Sequence, residues 1–316
     1  MTTFPSKRKK DFYSREKEMR LAFLISAHND AKQFHRLLNA LPADAHFYVH
    51  IDAKSDIRPF EEGVTNRNVV FLKKRYDIMW GSFQQVRYQI ELLRAALNSG
   101  HDYNYLFSLS GLDYPLWKNS EIKEFLAKNF GKQHLFTISL ADNPEIAELY
   151  TEYRFLNIYF WRYGSWKSKF RVALRHLVKA VGIRKSLTIN GRKLHKGGSW
   201  WAITGNLARY VLNVYDKDKS FVNYFINAFG PDETFIHTIA MNSPFASSCT
   251  LLDGKKYNSL EALSPLTYIE YGKEIKVFTE KDYERLYASG KMFCRKVMTG
   301  KSNALLELID SSRKEE

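Results

Sequence analysis

The sequence predicts an α/β fold built around a largely parallel sheet. Short apolar runs with the composition of buried strands alternate with stretches whose apolar residues recur every three or four positions. Turn-forming residues follow the first run, at 28–30, and Gly111 and Pro115 follow the fourth. Strands that alternate with helices are typical of layered α/β domains, in which crossover helices cover a parallel sheet. The predicted strands are 20–26, 46–51, 69–72, 103–110 and 134–138, and 197–204 is predicted as a turn that leads into a further strand.

Helical periodicity and capping signals account for much of the remaining chain. The first predicted helix, at 34–41, has its leucines and its phenylalanine on one face. Ser82 and Gln85 have the spacing of a capping box, which predicts a helix that begins there and runs to Leu97. The other predicted helices are 166–181, one that follows Pro231 and ends near 242, one capped by Thr279, and 302–310.

The chain is long enough for one large domain with an ample core, since it has 316 residues. Residues 1–18 are basic and lack an apolar stretch, which predicts a disordered extension, and we expect a single domain over 19–316. No apolar run reaches the length that spans a bilayer, and Cys249 and Cys294 are the only cysteines. We therefore expect a cytoplasmic protein, with peripheral contact at the inner face of the plasma membrane left open.

The charge favours an anionic partner, since the net charge is +14 and the isoelectric point is near 9.5. The helix at 166–181 is basic and amphipathic, so its apolar side could lie on an anionic membrane, although packing of that side on the protein core is the favoured interpretation. A non-catalytic protein that binds nucleic acid or another polyanion is the alternative to an enzyme. We expect no nucleic-acid partner, because the sequence has no recognisable nucleic-acid-binding module.

Several common catalytic signatures are absent from the sequence. It has no Gly-rich phosphate loop, no Cys/His cluster with zinc spacing and no Gly-x-Ser-x-Gly motif. After the 103–110 strand, where many nucleotide-sugar enzymes carry an Asp-x-Asp pair, Asp113 is the one carboxylate. Because a hard cation normally needs more than one carboxylate, we expect no divalent metal and keep Asp113 as a donor-binding candidate.

Glu233 is the best candidate for a general base. Pro231 precedes the predicted helix, so Glu233 is expected in its first turn, where the helix dipole and free N–H groups favour an ionised carboxylate. Such a carboxylate can take the proton of an acceptor hydroxyl as its oxygen attacks. Helix capping also explains an acidic residue at this position and, taken alone, is the favoured interpretation. Asp232 is the expected cap of the two.

Basic side chains near the C-terminal end are candidates for binding a diphosphate. A leaving diphosphate gains negative charge in the transition state, so without a metal the protein must supply the cations. Arg295 and Lys296 lie between Phe293 and Val297 in a stretch that reads as partly buried, and Lys276 precedes it. Ordinary surface charge is the simpler interpretation of a basic pair in so basic a chain.

Further candidates lie at a strand end and in a turn. Asp52 follows the second predicted strand, at the carboxyl edge where open α/β sheets bind ligands. It could accept hydrogen bonds from a ribose or a base, and a turn-forming role is equally compatible. The turn at 80–82 could present backbone amides to a phosphate or sugar, although helix capping is the favoured interpretation.

Aromatic residues supply candidates for sugar binding. Arg154 and Tyr159 belong to an aromatic segment at 153–163, which is either a wall on the acceptor side or part of the core. Trp200 and Trp201 are both substrate-binding candidates, and we expect one to face the core and the other a cleft.

Six short motifs resemble the core-2/I-branching and peptide O-xylosyltransferase family, glycosyltransferase family 14. Each motif is weak alone, but six in the family's order over most of residues 20–297 form a specific signal. The motifs are HIDAKS (50–55), WGSFQQV (80–86), LSGLDYP (109–115), GSWWAIT (198–204), PDETF (231–235) and SGKMFCRK (289–296).

The resemblance implies a GT-A type fold, with a Rossmann-like mixed sheet flanked by helices. It implies an inverting, metal-independent transfer of a sugar, GlcNAc or xylose, from a UDP-sugar to a carbohydrate hydroxyl. Glu233 would be the general base, and Lys296, together with Arg295, would bind the diphosphate. Lys276 matches a second basic residue loosely, and Asp52 would lie near the uridine.

The chain also departs from the family pattern. Animal members are membrane-anchored and carry several disulfides, and the region 140–195 of this chain matches poorly. We therefore expect a compact bacterial relative that works in the cytoplasm on surface-polysaccharide or other glycan synthesis, with no cofactor. Its expected partners are a nucleotide-sugar donor and a glycan or lipid-linked glycan acceptor, and the region 140–195 is expected to contribute to acceptor choice.

Overall fold

The computed structural model describes residues 19–65, 68–157, 166–252, 259 and 261–314. The extension predicted at 1–18 lies outside the described residues. The strands are β1 Leu21–Ala27, β2 His46–Ile51, β3 Val69–Phe71, β4 Tyr105–Ser110, β5 Asp113–Pro115, β6 Phe136–Ser139, β7 Thr188–Ile189, β8 Arg192–Lys193, β9 His195–Gly197, β10 Ala202–Thr204, β11 Thr250–Leu251, β12 Thr267–Ile269 and β13 Phe293–Arg295. The α-helices are α1 Ala31–Ala40, α2 Arg58–Glu61, α3 Gln84–Leu97, α4 Asn119–Lys128, α5 Pro144–Thr151, α6 Trp166–Ala180, α7 Gly205–Lys217, α8 Lys219–Ile226, α9 Phe235–Met241, α10 Tyr283–Ala288 and α11 Asn303–Ser312. Short 3-10 helices cover Pro231–Glu233, Ala246–Ser248 and Glu280–Asp282.

The main sheet has five strands in the order β10-β4-β1-β2-β3. β1 pairs in parallel with β2 and β4, β3 continues in parallel from β2, and β10 joins β4 antiparallel. The sequence of β1, LAFLISA, is almost continuously apolar because a central parallel strand is covered on both faces. The predicted α/β class, with a largely parallel sheet flanked by helices as in a GT-A type fold, is confirmed.

Helices cover both faces of the main sheet. On one face, α1 and α4 pack through residues such as Phe34 and Ile122. On the other face, α3, α7 and α9 bury a larger set that includes Ile90 and Val211. The apolar side chains of β1 up to Ile25 belong alternately to the two clusters, as the two-residue period of a strand requires. This packing leaves the carboxyl ends of the parallel strands at one uncovered edge.

The C-terminal part of the chain forms a smaller layer around the sheet β12-β13-β5. Helices α10 and α11 pack on this layer through Leu286 and Leu305. Strand β13 runs antiparallel to β5, with Arg295 opposite Asp113. Because β5 directly follows β4, this pairing returns the end of the chain to the carboxyl edge of the main sheet.

The capping box predicted at Ser82 is wrong. Helix α3 begins two residues later, and the Ser82 hydroxyl is buried without a hydrogen-bond partner among the described residues. The Gln85 side chain instead bonds to residues outside α3. Its Oε1 accepts a short hydrogen bond from the Gly81 N–H, and its Nε2 donates to Asp232. Gln85 therefore links the start of α3 to the Pro231–Glu233 turn.

The expected packing of the basic helix on the protein core is also wrong. Arg171 is the one residue of α6 that is buried. Trp166 and Leu177 are 74% and 61% exposed, and Val181, which follows the helix, is 60% exposed. The apolar side of α6 therefore faces away from the core.

Candidate active site

A cleft of about 230 Å³ opens at the carboxyl edge of β1, β2 and β4. Strand ends meet there because the strands are parallel, which is where open α/β sheets bind ligands. Four residues predicted from the sequence line this cleft together: Asp52, Trp200, Glu233 and Arg295. The lining also includes His28, Trp80, Gln85, Tyr88, Ser110, Ser199, Asp232 and Tyr271.

A larger groove of about 540 Å³ lies elsewhere, between α1 and α11. Three of its charged groups are committed to structural contacts, since Arg36 pairs with Asp310 at 2.8 Å and Arg313 donates to the carbonyls of Trp117 and Ala40. None of the predicted site residues lines it. We therefore take the smaller cleft as the candidate active site.

Glu233 ends the 3-10 turn Pro231–Glu233 and precedes α9, so it lies ahead of the helix turn in which the sequence predicted it. Its Oε2 accepts a short hydrogen bond from the Tyr150 hydroxyl and lies 3.2 Å from Lys196 Nζ. Both contacts fall on one oxygen, so Oε1 has no protein partner among the described residues. An acceptor hydroxyl can therefore approach Oε1 without displacing a protein contact.

Tyr150 is a neutral donor at this site. Burial raises its pKa well above the usual value, and the adjacent Glu233 carboxylate raises it further. The Lys196 ammonium lies 5.5 Å from the centre of the Tyr150 ring and is itself nearly buried. The tyrosine and the lysine together fix the orientation of Glu233.

Lys196 is carried by β9, which pairs antiparallel with β6. The next residue, Gly197, packs so closely that a Cβ would lie 2.1 Å from His237 Cε1 and 2.3 Å from the Phe136 carbonyl oxygen. His237 in turn donates from Nε2 to the carbonyl of Gly198 at 2.8 Å. The close approach of β9 to α9 therefore requires glycine at position 197 and sets the position of Lys196.

Asp232 is not the helix cap that the sequence suggested. Its Oδ2 accepts hydrogen bonds from Ser199 Oγ at 2.7 Å and Gln85 Nε2 at 3.0 Å. Burial and the neighbouring Glu233 carboxylate raise the pKa of Asp232 to about 7. Asp232 therefore holds a proton in a pH range where an exposed aspartate is ionised, while Lys196 compensates the charge of Glu233.

Arg295 has two partners that fix its guanidinium at the cleft. Its Nη1 donates to Asp113 Oδ1 at 2.9 Å, and it lies 5.0 Å from the centre of the Trp200 ring. Asp113 has no exposed surface, and its second oxygen accepts the Ser110 N–H at 2.8 Å. Burial raises the pKa of Asp113, and Arg295 opposes that effect. Asp113 therefore cannot contact a donor, which corrects its prediction as a donor-binding residue, and it positions Arg295 instead.

Lys296 is half-buried next to Arg295, but unlike Arg295 it is not among the residues that line the cleft. Burial is the main cause that lowers the pKa of His28, which lines the cleft. The charges of Arg295 and Lys296 lower that pKa further, against the opposing effect of Asp52. Arg295 therefore brings positive charge into the cleft, and Lys296 lies behind it.

Lys276 is held outside the cleft. Its Nζ lies 2.6 Å from Asp282 and 3.5 Å from Glu270, and it does not line the cleft, although its neighbour Ile275 does. Two carboxylates compensate the charge of its side chain outside the cleft. Its backbone lies beside a second predicted cation, because the Lys296 N–H donates to the Lys276 carbonyl at 3.2 Å.

Asp52 lines the cleft and also closes a turn. Its Oδ1 accepts the Lys54 N–H at 2.9 Å, and its Oδ2 accepts the Ile78 N–H at 3.3 Å. The Lys54 ammonium lies 3.2 Å from Oδ2. The turn-forming interpretation is therefore correct for Asp52, and its position at the cleft keeps the ligand-binding interpretation open.

Two of the three amides in the turn at 80–82, those of Gly81 and Ser82, are not available to a ligand in this structure. The Gly81 N–H donates to Gln85, and the Ser82 N–H donates to the Met79 carbonyl at 3.0 Å. Trp80 itself is exposed and lines the cleft. This turn therefore contributes an aromatic ring to the cleft.

The tryptophan pair divides as the sequence suggested, because Trp200 lines the cleft and Trp201 is 1% exposed in the core. Trp201 has no surface to offer a substrate, which corrects its inclusion among the binding candidates. Arg154 lies behind the cleft wall, 4.7 Å from the ring of Phe229, which in turn contacts Trp80 edge-on. Tyr159 lies outside the described residues.

Sequence reasoning missed several residues of the cleft. Tyr150 and Lys196 gave no local signal, because their partner Glu233 is distant in the chain. Ser199 lies inside the GSWWAIT motif, next to the two tryptophans that drew attention. His28 follows the first strand, so the rule that identified Asp52 at the second strand end could have identified it as well.

Two features are absent from the described part of the chain. No group of three or more His, Cys, Asp or Glu residues there is arranged to hold a metal ion. No described helix combines the length and the apolar character needed to cross a bilayer.

Comparison with known proteins identifies a family. The profile of the family described as Core-2/I-Branching enzyme matches residues 21–257, which is more than half of the chain. That range contains the main sheet, Trp200 and Glu233, and it ends before β12 and β13, which carry the C-terminal cations.

Individual relatives agree with the profile. Xylosyltransferase oxt of Drosophila melanogaster is 23% identical over 242 residues, which cover 73% of this chain and 25% of the relative. Xylosyltransferase 2 is 26% identical over 251 residues in Rattus norvegicus and over 246 residues in Homo sapiens, again across a quarter of its own length. The chain thus matches about a quarter of the length of these curated relatives, and on the extent of the profile match it belongs to the Core-2/I-Branching enzyme family, the glycosyltransferase family that its six motifs resemble.

Proposed function

We propose that this chain transfers a sugar from a UDP-sugar to a carbohydrate hydroxyl by a single displacement at the anomeric carbon. The observation that carries the proposal is that Glu233 and Arg295 line the same cleft. Tyr271 also lines this cleft. Burial raises the pKa of Tyr271, the charge of Glu233 raises that pKa further, and Arg295 lowers it, so both charges act on this one side chain. A base and a cation in one cleft are the two groups that such a displacement needs.

Glu233 is the general base of the proposed reaction. Its Oε1 accepts the proton of the acceptor hydroxyl as that oxygen attacks the anomeric carbon. Tyr150 and Lys196 hold Oε2, so the carboxylate does not have to reorient before the reaction. Because attack comes from the side opposite the diphosphate, an α-linked donor gives a β-linked product.

Arg295 and Lys296 stabilise the departing diphosphate in this proposal. The leaving group gains negative charge as the glycosidic bond breaks, and a fixed cation in a shielded cleft lowers the barrier. Arg295 is pre-oriented by Asp113 and Trp200, so it loses little side-chain freedom on binding. With these side chains in that role, the reaction needs no divalent metal.

The donor sugar in the proposal is GlcNAc or xylose, and the xylosyltransferase relatives support the second choice. The acceptor is a carbohydrate, and two tryptophans that line the cleft, the exposed Trp80 and the half-buried Trp200, can pack on the apolar face of a sugar ring. Action in the cytoplasm of a bacterium, in surface-glycan synthesis, stays a prediction from the sequence.

A non-catalytic polyanion-binding protein has less support. The net charge of +14 is its basis. The cleft, however, contains the carboxyl groups of Asp52, Asp232 and Glu233, and a site for a polyanion gains nothing from carboxylates at its centre.

The test of the base is the variant Glu233→Gln, which keeps the shape of the side chain and removes the proton acceptor. Transfer should fall by about two or more orders of magnitude, while the thermal shift produced by UDP should remain. The matched control is Glu307→Gln, on an exposed position of α11, which should leave turnover unchanged. Near-normal turnover of Glu233→Gln would remove Glu233 from the mechanism.

A thermal-shift panel of nucleotide sugars tests the donor and the metal requirement together. Stabilisation by one UDP-sugar, with the same shift in the presence of EDTA, would identify the donor and agree with a metal-free site. A shift, or a turnover, that needs an added divalent ion would contradict the role given to Arg295 and Lys296.

A further inference from the structure

Helix α6, Trp166–Ala180, packs on the protein through its charged side, and its apolar side faces outward. Arg171 is its one buried residue, whereas Trp166, Leu177 and the following Val181 are exposed. These three apolar residues recur at spacings of eleven and four, which places them along one stripe of a helix. A helix that is held by its polar side presents its apolar stripe to whatever lies outside the protein.

The charged side is fixed by a buried carboxylate that follows α5. The Glu152 side chain is 5% exposed and lies 2.8 Å from both Arg175 and Lys179 of α6. Arg154 and Arg184 lie 3.2 Å and 3.4 Å from the same carboxylate. Burial alone would raise the pKa of Glu152, but the hydrogen bonds from Lys179 and Arg175 outweigh it and lower that pKa to about 2. The orientation of α6 is therefore set by ion pairs that persist over the physiological pH range.

The stretch of sequence that contains α6 carries nearly all of the net charge of the chain, although several of its cations pair with carboxylates outside the stretch, Glu152 among them. Residues 153–215 contain thirteen Lys and Arg and no Asp or Glu, which leaves 35 basic and 34 acidic residues elsewhere. Lys169 and Lys193 are exposed in this stretch, as is much of the Lys179 side chain. The exposed apolar stripe thus lies within a strongly basic segment.

We infer that α6 is a docking surface for the headgroup region of an anionic lipid bilayer. Such a bilayer offers two layers, apolar acyl chains below and negatively charged headgroups above. The apolar stripe of α6, with Trp166 at its end, matches the acyl chains, and the lysines and arginines that border it match the headgroups. Nucleic acid offers no apolar layer for Trp166, Leu177 and Val181. A second copy of the chain would bring two basic segments face to face, and like charges oppose that contact. The inference does not depend on the proposed chemistry.

Docking through α6 has a consequence for the acceptor side of the cleft. Arg171 donates to the backbone carbonyl of Arg154 at 3.3 Å, and Arg154 stacks on Phe229, the ring that supports Trp80 at the cleft. The bilayer would therefore lie on the side of the molecule where the aromatic rim of the cleft is supported, which suits an acceptor carried by a lipid.

The test is co-sedimentation of the full chain with vesicles of phosphatidylcholine, with and without phosphatidylglycerol, at low and high salt. We expect binding to the anionic vesicles that weakens with salt. The triple variant Trp166→Ser, Leu177→Ser, Val181→Ser should bind about tenfold or more weakly, since it removes the apolar contribution. The control is Val70→Ser with Leu308→Ser, two residues that are each 45% exposed elsewhere, and it should bind like the parent protein.

Several outcomes would overturn the inference. They are no sedimentation with anionic vesicles at low salt, unchanged binding of the triple variant, and equal loss of binding in the control. If vesicles do not bind, two further assays identify another occupant. Binding of duplex DNA by the parent protein would indicate nucleic acid. A dimer in sedimentation velocity that the triple variant abolishes would indicate a second copy of the chain. Should the triple variant not fold, Leu177→Glu alone places a charge on the stripe, and its unchanged vesicle binding would count against the inference.

Discussion

Lys196 Nζ lies 3.2 Å from Glu233 Oε2, on the same oxygen to which Tyr150 donates. The Lys196 side chain is nearly buried, so salt screens this pair less than it screens a surface pair. The lysine needs no contact with a substrate to matter for the proposed chemistry. It is a positioning residue, because it compensates the charge of the base and fixes its orientation.

Replacement of Lys196 by Met should lower kcat about tenfold or more and leave the KM for the donor nearly unchanged, because the lysine orients the base and does not bind the donor. The matched control is Lys193→Met, at an exposed position three residues away, which should leave both constants unchanged. Steady-state kinetics on both variants check this division. A normal kcat for Lys196→Met would show that Lys196 does not position the base.

Variants of the Arg295–Asp113 ion pair should distinguish an effect on the free energy of unfolding from an effect on donor binding. Arg295→Met leaves the buried Asp113 carboxyl group unpaired, which should cost about 3–5 kcal/mol in the free energy of unfolding measured in urea. The double variant Arg295→Met, Asp113→Asn should regain most of that stability. Its KM for the donor should stay high, because the cation is still missing. A double variant with a normal KM would exclude Arg295 from donor binding.

The adjacent tryptophans should give opposite results. Trp201→Ala removes a fully buried ring and should cost about 3–5 kcal/mol in the free energy of unfolding. Trp200→Ala should cost much less stability and should raise KM, since Trp200 lines the cleft and holds Arg295 by its ring. Urea unfolding and steady-state kinetics on both variants check this pair, and equal stability losses would contradict the division between core and cleft.

Asp232 should make the folded state less stable as the pH rises. Its pKa is about 7 in the fold and near the ordinary 3.8 in the unfolded chain. Between those values the folded protein keeps a proton that the unfolded chain has released, so stability declines from about pH 4 to about pH 7 and the cost stays constant above that range. Asp232→Asn lacks this loss of stability. The Tm of the variant minus the Tm of the parent protein should therefore increase from about pH 4 to about pH 7.

The comparison of Tm values requires a control because buried histidines titrate in the same range. Glu307→Gln, at an exposed position of α11, should give a Tm difference that does not change with pH. A flat difference for Asp232→Asn as well would show that the carboxyl group of Asp232 is not perturbed by its surroundings.

Local patterns in the sequence were sufficient for the main sheet. The second strand has the predicted bounds, His46–Ile51, because five of its six residues are buried, as in a parallel strand that is covered on both faces, and turn-forming Asp52 follows it. The strand-end rule found Asp52 and the Pro-Asp-Glu motif found Glu233 for the same reason: both signals lie within a few residues.

The contacts that complete the site could not be read from such patterns. Gln85 donates to Asp232 across 147 positions and Tyr150 to Glu233 across 83, so only the folded chain brings them together. The periodicity of α6 identified its apolar side correctly. The pattern could not show which side faces inward, because that depends on the buried carboxylate of Glu152.

The fit of Gly197 between His237 and Phe136 limits how this enzyme can vary or be engineered. A single methyl group there would push β9 away from α9 and carry the neighbouring ammonium group out of reach of Glu233, the proposed base. Libraries aimed at new acceptors can therefore vary the aromatic rim, but substitutions at position 197 should yield inactive clones although Gly197 does not line the cleft.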